Sequence, residues 1–172
     1  MIDCIVMAGG RGGRMGGVEK PLLRVCGVEM VVRVVRGVGG VCRRTLVAYS
    51  PWTRGVGDLC RGALAGAECV MLGGSGYVDD LREALEIYPP PVLVLPSDTP
   101  FIRGDLVEWF INVALMEPAD IVNLVDRRRG PVGIALFKRR SGSWSDVEVD
   151  WGRALIDVDT WADYVEALGE CL

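Results

Sequence analysis

A chain of 172 residues, half of them hydrophobic, is long enough for one sizeable core and short for two. Its 23 acidic and 19 basic residues leave a formal charge of −4, which argues against a general nucleic-acid binder, and Arg33 and Arg36 break the apolar run 30–38, which argues against a membrane span. There is no histidine, so Ser-His-Asp and Cys-His catalysis and imidazole metal sites are excluded. Any metal is expected to be a hard cation held by carboxylates and phosphate, which points to Mg2+. Six scattered cysteines with no Cys-x-x-Cys pair give little support for zinc or redox motifs and read mainly as small buried apolar residues. Lys20 and Lys138 are the only lysines among the basic residues, which with the Val-rich core suggests a thermophile, and a disulfide from Cys4 to a distant partner stays open. The N-terminus carries no basic stretch before its apolar run, so no signal peptide is expected and the cytoplasm is the default location.

Ile2 to Val6 reads as a buried first strand, and the segment after it is unusual. Between Met7 and Leu22 six glycines (Gly9, Gly10, Gly12, Gly13, Gly16, Gly17) are crowded among Arg11, Arg14 and Lys20. Glycine lets main chain approach a ligand closely and turn successive N–H groups toward one anion, while the basic side chains add mobile positive charge. The physical reading is a phosphate cradle. It is not a Walker loop, because no Gly-Lys pair exists. It is not a dinucleotide fingerprint either, because the third glycine of a pattern begun at Gly10 falls on Met15.

Leu22 to Val25 is then a short extended piece and Val28 to Val38 a helix, ended by Gly37, Gly39 and Gly40. Thr45 to Tyr49 is a strand, Thr53 to Ala65 a helix, and Glu68 to Leu72 a third strand. This β-α-β-α-β order implies a parallel sheet covered on both faces. A second glycine-rich turn, Gly73 to Tyr77, follows directly. It leads into a helix from Val78 to Tyr88, whose Asp79 and Asp80 complement the dipole. Loops at the carboxyl ends of parallel strands form the ligand crevice of open α/β sheets, so this turn is expected beside the first. A plain helix-entry turn is the alternative.

Val92 to Leu95 is uniformly apolar, as a central strand buried on both faces should be. It delivers Pro96-Ser97-Asp98-Thr99-Pro100 into the same crevice, where a buried acid calls for a cation. A cap for the following segment is the other reading of Asp98. Gly104 to Met116 is a helix stopped by Pro118. Ala119 to Val125 and Pro131 to Phe137 are strands joined by the basic turn 126–130, read as a solvated hairpin tip or a substrate-phosphate contact. Ser141 to Asp150 is polar and expected as a surface loop anchored by Trp144 and Trp151. Ala154 to Asp159 is a short strand, and Thr160 caps a last helix, Trp161 to Leu168, with Asp163 at its third position. No repeats or linkers interrupt the chain, so residues 1–172 are expected to form one domain.

The string Met-Ala-Gly-Gly-Arg-Gly-Gly-Arg-Met-Gly-Gly-Val-Glu-Lys resembles the nucleotidyltransferase signature Leu-Ala-Gly-Gly-x-Gly-x-Arg-Met-Gly-x-x-x-Lys, with Met7 in the leading position. Gly13 stands where related loops often carry Thr. With the segments 96–100 and 156–160 in the same order, the chain resembles the molybdenum-cofactor guanylyltransferase-like and sugar-phosphate nucleotidyltransferases. Within them, Met15 to Leu22 and the Gly-x-Gly-Tyr-x-x-Asp-Leu at 74–81 are most similar to the archaeal adenosylcobinamide-phosphate guanylyltransferases. The likeness is dense to about Pro100 and thin from 119 to 150.

This resemblance implies a three-layer α/β/α, Rossmann-like fold with a mostly parallel mixed sheet. It also implies transfer of GMP from GTP to a phosphate-bearing corrinoid acceptor, with pyrophosphate released. Molybdopterin and sugar phosphates are the alternative acceptors, and a GTP-binding module without catalysis is a reading from another class. Nucleotide contacts are expected at Met7, Ala8, Gly9, Gly10, Arg11, Gly12, Gly13, Arg14 and Lys20, and at Gly74, Gly76 and Tyr77. Arg14, Lys20 and Asp98 would act in catalysis. Magnesium would be held by Asp98 with Asp157 or Asp159, comparable patterns often having Asn where one or the other stands. Neither nucleic acid nor a membrane is expected as a partner, and the assembly state, a homodimer among the options, is left open.

Overall fold

The computed structural model describes residues 1–171. Its centre is a seven-stranded sheet in the order β5-β4-β1-β6-β8-β7-β9. The strands are β1 (Ile2–Ala8), β4 (Cys42–Tyr49), β5 (Glu68–Met71), β6 (Val92–Pro96), β7 (Ile121–Asp126), β8 (Gly130–Phe137) and β9 (Trp144–Val149). Strands β5, β4, β1 and β6 are parallel, β8 is antiparallel to both neighbours, and β9 is again parallel to β7. A separate two-stranded ribbon joins β2 (Arg24–Val25) to β3 (Val28–Glu29).

The period-2 alternation of the strands distributes two cores. Cys4, Val6 and Ala8 of β1 face one side with Val47, Leu93 and Leu95. There they meet α1 (Met30–Val38) through Val31 and Val34, and α4 (Gly104–Met116) through Leu106 and Phe110. Ile5 and Met7 face the other side, under Ala84, Leu85 and Tyr88 at the end of α3 (Tyr77–Ile87). The result is the three-layer α/β/α arrangement with a mixed, mostly parallel sheet. No helix among the described residues is long and apolar enough to cross a membrane.

Chain order along β1-α1-β4-α2-β5 moves outward in one direction, and α3 then returns the chain to the far side of β1 as β6. The order therefore reverses between β1 and β6, and the carboxyl ends of those two strands open the crevice that a doubly wound sheet offers to ligands.

Several expectations need correction. The helix expected from Thr53 to Ala65 is only the five-residue α2 (Gly55–Leu59) followed by turns, since Gly55, Gly57 and Gly62 dilute helix propensity across the segment. The first long helix starts at Met30, because Val28 and Glu29 are taken up by the ribbon. The expected loop 141–150 contains strand β9, whose polar alternation reflects an edge position with one face in solvent. The expected strand 154–159 is a short 3-10 turn, Gly152–Leu155, followed by unpaired extended chain. The six cysteines, read as mainly unpaired, form three disulfides: Cys4–Cys42, Cys26–Cys171 and Cys60–Cys69. Spacing could not show this, because Cys4 and Cys42 meet only when β1 and β4 lie side by side.

The β1–β4 junction also binds a buried acid. A register shift sets two residues, Arg43 and Arg44, opposite Asp3. Arg43 Nε and Nη2 each donate to the Asp3 carboxylate at 2.9 Å, and Arg44 donates to the same oxygens. These hydrogen bonds hold the Asp3 carboxyl well below the usual carboxylate range. Asp3→Asn is expected to cost about 2 kcal/mol near neutral pH, the size of a charge-assisted hydrogen-bond set. A depressed folded-state value gives stability that is complete above the unfolded carboxyl value of roughly 4 and lost as pH falls below it. Urea unfolding of parent and variant across pH should therefore show a gap that closes in acid; a gap that stays constant would contradict this role.

Candidate functional site

A cavity of about 350 Å3 lies at the β1–β6 crevice, lined by Met7, Gly9, Gly10, Arg11, Lys20, Pro21, Gly74, Gly76, Tyr77, Asp80 and 96–98. The first glycine loop leaves β1 and turns back at Gly12, whose φ of 65° puts a side chain out of reach: a Cβ there would sit 2.2 Å from the Val18 carbonyl oxygen. Gly17 N–H closes the turn onto Gly12 O at 2.9 Å, and buried Met15 anchors it among Val25, Met30, Ile156 and Val158. Ser50, at the end of β4, donates its hydroxyl to Gly9 O at 2.6 Å.

Lys20 stands in a 3-10 turn after this loop, and its ammonium joins the two acidic segments. Its Nζ is 2.6 Å from Asp98 Oδ2 and 3.0 Å from Asp159 Oδ1. The acids arrive from opposite directions. β6 projects Asp98, while the chain after the 3-10 turn delivers Asp159, and Val158 N–H bonds to Asp98 O at 2.9 Å. Burial pushes the Asp98 carboxyl above its ordinary range, and Lys20 offsets this only in part. Burial would lower Lys20, but the charges of Asp98 and Asp159 outweigh it and the ammonium is held above its usual value. Asp157, half-buried, is pushed up to about 6 by burial and then by the charges of Asp159 and Asp98.

Two carboxylates therefore share Lys20, Asp159 also lies 3.6 Å from the exposed Arg14, and the Asp157 carboxylate stands near both acids without an ion pair to either cation. The excess negative charge and all-oxygen donor set suit a hard divalent cation, which commonly takes one or two protein carboxylates and completes its shell with phosphate and water. Among the described residues no cluster of three acids is close enough to hold a metal by itself. Of the two acids expected as alternatives beside Asp98, Asp159 shares Lys20 with it, whereas Asp157 makes no ion pair with that ammonium.

The other expected residues divide in the same way. Met7, Gly9, Gly10, Arg11, Gly74, Gly76 and Tyr77 line the cavity; Ala8 is buried in the core, and Gly12, Gly13 and Arg14 lie outside the cavity wall. Arg11 is not free but stacks 4.4 Å over the Trp52 ring. Desolvation and then the Asp98 charge hold the Tyr77 phenol above its ordinary value, although more than half of the residue's surface is exposed. The turn at 126–130 is accounted for structurally: Asp126 accepts the Arg128 and Arg129 N–H groups, and Arg127, Arg128 and Arg129 pair with Glu148, Asp150 and Glu166.

Asp80 is the residue that the sequence reading undervalued. It is buried, lines the cavity, and accepts the Gly74 N–H at 2.9 Å, which fixes the second glycine turn. Trp52 holds the same turn from outside, its Nε1 donating to Gly74 O at 3.0 Å. The available signal was helical spacing: Asp80 shares a face with Ala84, a core residue one turn on.

Residues 4–149 match the model of the MobA-like NTP transferase domain. The adenosylcobinamide-phosphate guanylyltransferase of Methanocaldococcus jannaschii is 30% identical over 115 residues, covering 64% of this chain and 59% of that protein. A molybdenum cofactor guanylyltransferase of an Acidovorax species is 32% identical over 149 residues, covering 77% of this chain and 64% of that protein. The chain thus spans less than two thirds of the length of either relative. Among solved structures, a Mycobacterium tuberculosis protein in complex with manganese superposes with a TM-score of 0.71 at 18% identity, covering 98% of each chain. With the matched region running from β1 through β9, the chain belongs to the MobA-like NTP transferase domain family.

Proposed function

We propose that this chain, acting as one domain, transfers GMP from GTP to the phosphate of adenosylcobinamide phosphate and releases pyrophosphate. The observation that carries the reading is the Lys20 ammonium between Asp98 and Asp159 at the edge of a glycine-lined cavity. Main-chain N–H groups of the first loop, with Arg11, Arg14 and Lys20, bind the triphosphate. The second turn, held by Asp80 and Trp52, meets base or ribose through its main chain. An acceptor phosphate oxygen attacks the α-phosphorus in line, the bond to the β-phosphate bridging oxygen breaks, and pyrophosphate departs. The attacking group is already an anion, so no general base is required, and a chain without histidine suffices. Asp98 and Asp159 would hold a divalent cation, Mg2+ in this reading, whose charge would offset that of the phosphates.

A second reading, molybdenum cofactor guanylyltransferase, is favoured by the Acidovorax relative, which matches more of this chain. A pyrophosphate-release screen of GTP, ATP, CTP and UTP against adenosylcobinamide phosphate, molybdopterin and sugar phosphates separates them. Release with GTP and adenosylcobinamide phosphate alone is expected. Release only with molybdopterin would move the assignment to the second reading, and stoichiometric GTP binding without release from any pair would make the chain a binding module.

A further inference from the structure

The proposed reaction makes no use of a basic cavity elsewhere on the molecule. A cleft of about 480 Å3 opens on the α1/α4 side of the sheet, walled by α1, by the segment 100–103 leading into α4, and by 151–154. Arg33, Arg36, Arg103 and Arg153 line it together with Phe101 and Trp151, and no acid does. It shares no lining residue with the nucleotide cavity.

Two of the four guanidiniums have carboxylate partners outside the cleft, Arg103 with Asp105 at 2.5 Å and Arg153 with Glu170 at 3.8 Å. Arg33 and Arg36 have none among the described residues, and Glu29, whose carboxyl is lowered in part by the nearby Arg36 charge, is already paired with Arg24. Arg33 is held in position by the backbone. Its Nε donates to Pro100 O at 2.9 Å, its plane lies 5.1 Å from the Phe101 ring, and burial pushes the guanidinium below its ordinary value. Arg36 stands one helical turn further along the same face of α1. The positive end of the α4 dipole starts beside Arg103. A concave set of planar, always-charged forks, two of them without a carboxylate partner among the described residues, matches the oxygens of a phosphoryl group.

We propose that this cleft is a second anion site, distinct from the nucleotide cavity, that takes a phosphate or pyrophosphate group, free or carried on a small organic body. Calorimetric titration of the whole chain with inorganic pyrophosphate, without divalent ions, tests it. Binding is expected to contain a component that survives Lys20→Ala and is weakened about tenfold or more by Arg36→Gln, the loss of a charge-assisted contact. Arg36 is exposed on α1 and makes no side-chain hydrogen bond among the described residues, so its replacement is expected to leave the fold intact. Arg61→Gln, which removes the same charge elsewhere, is expected to leave that component unchanged. A parent isotherm without the component, or equal weakening by Arg36→Gln and Arg61→Gln, would overturn the proposal. Repeating the titration with glycerol phosphate sorts the two sources: heat that Arg36→Gln removes supports an organic phosphate, and its absence supports the free anion.

Discussion

Replacement of Asp98 by asparagine is expected to lower nucleotidyl transfer at least ~10³-fold, about 4 kcal/mol of transition-state stabilisation, without lowering the unfolding temperature. The two halves of this result have separate causes. In the folded protein the Asp98 carboxyl is buried and raised above its usual range, so its charge is a burden on the fold that Lys20 only partly relieves. Removing that charge while keeping the shape leaves Lys20 paired with Asp159 at 3.0 Å. Stability is then unchanged or improved. The reaction loses the acid that would meet cation and α-phosphate together. Steady-state rates and thermal melts on the same preparation check both halves, and a stable variant with parental rates would remove Asp98 from the chemistry.

Lys20→Ala carries the second large effect, with opposite consequences for the fold. It deletes the cation that Asp98 and Asp159 share, leaving a buried carboxylate without its partner. A loss of stability of roughly 2 kcal/mol is expected, alongside a fall in rate of ~10²-fold from the missing triphosphate contact. The double variant Lys20→Ala/Asp98→Asn separates these effects. With no buried charge left unpaired it should unfold near the parent, yet remain inactive. Recovery of rate together with stability would reduce Lys20 to a structural counter-ion.

Much of this arrangement was legible before any coordinates. Uniformly apolar β6 and the β-α-β-α-β rhythm announce a parallel sheet, and the position of each loop at a strand's carboxyl end brings Gly9, Gly74 and Asp98 to one crevice. What escaped the sequence reading depends on distant partners. β9 shows too little apolar periodicity to declare itself and exists because β7 offers it an edge. The disulfides follow from strand adjacency and, for Cys26–Cys171, from the docking of the last helix, α5 (Trp161–Gly169), near the β2–β3 ribbon. Asp80 looked like an acid serving the helix dipole, because its hydrogen bond to Gly74 depends on how the second turn folds back. The choice between Asp157 and Asp159 was equally closed to spacing: positions i and i+2 share a face in extended chain, so pattern cannot separate them, and it is the tertiary contact that shows Asp159 meeting Lys20.

A divalent ion and a nucleoside triphosphate meeting at Asp98 can be observed without turnover. Manganese bound to the whole chain can be counted by electron paramagnetic resonance with and without GTP, in the parent and in Asp98→Asn. One tightly held ion per chain that appears with GTP in the parent and is lost in the variant is the expected result. Equal manganese binding in both proteins would contradict the account at its root.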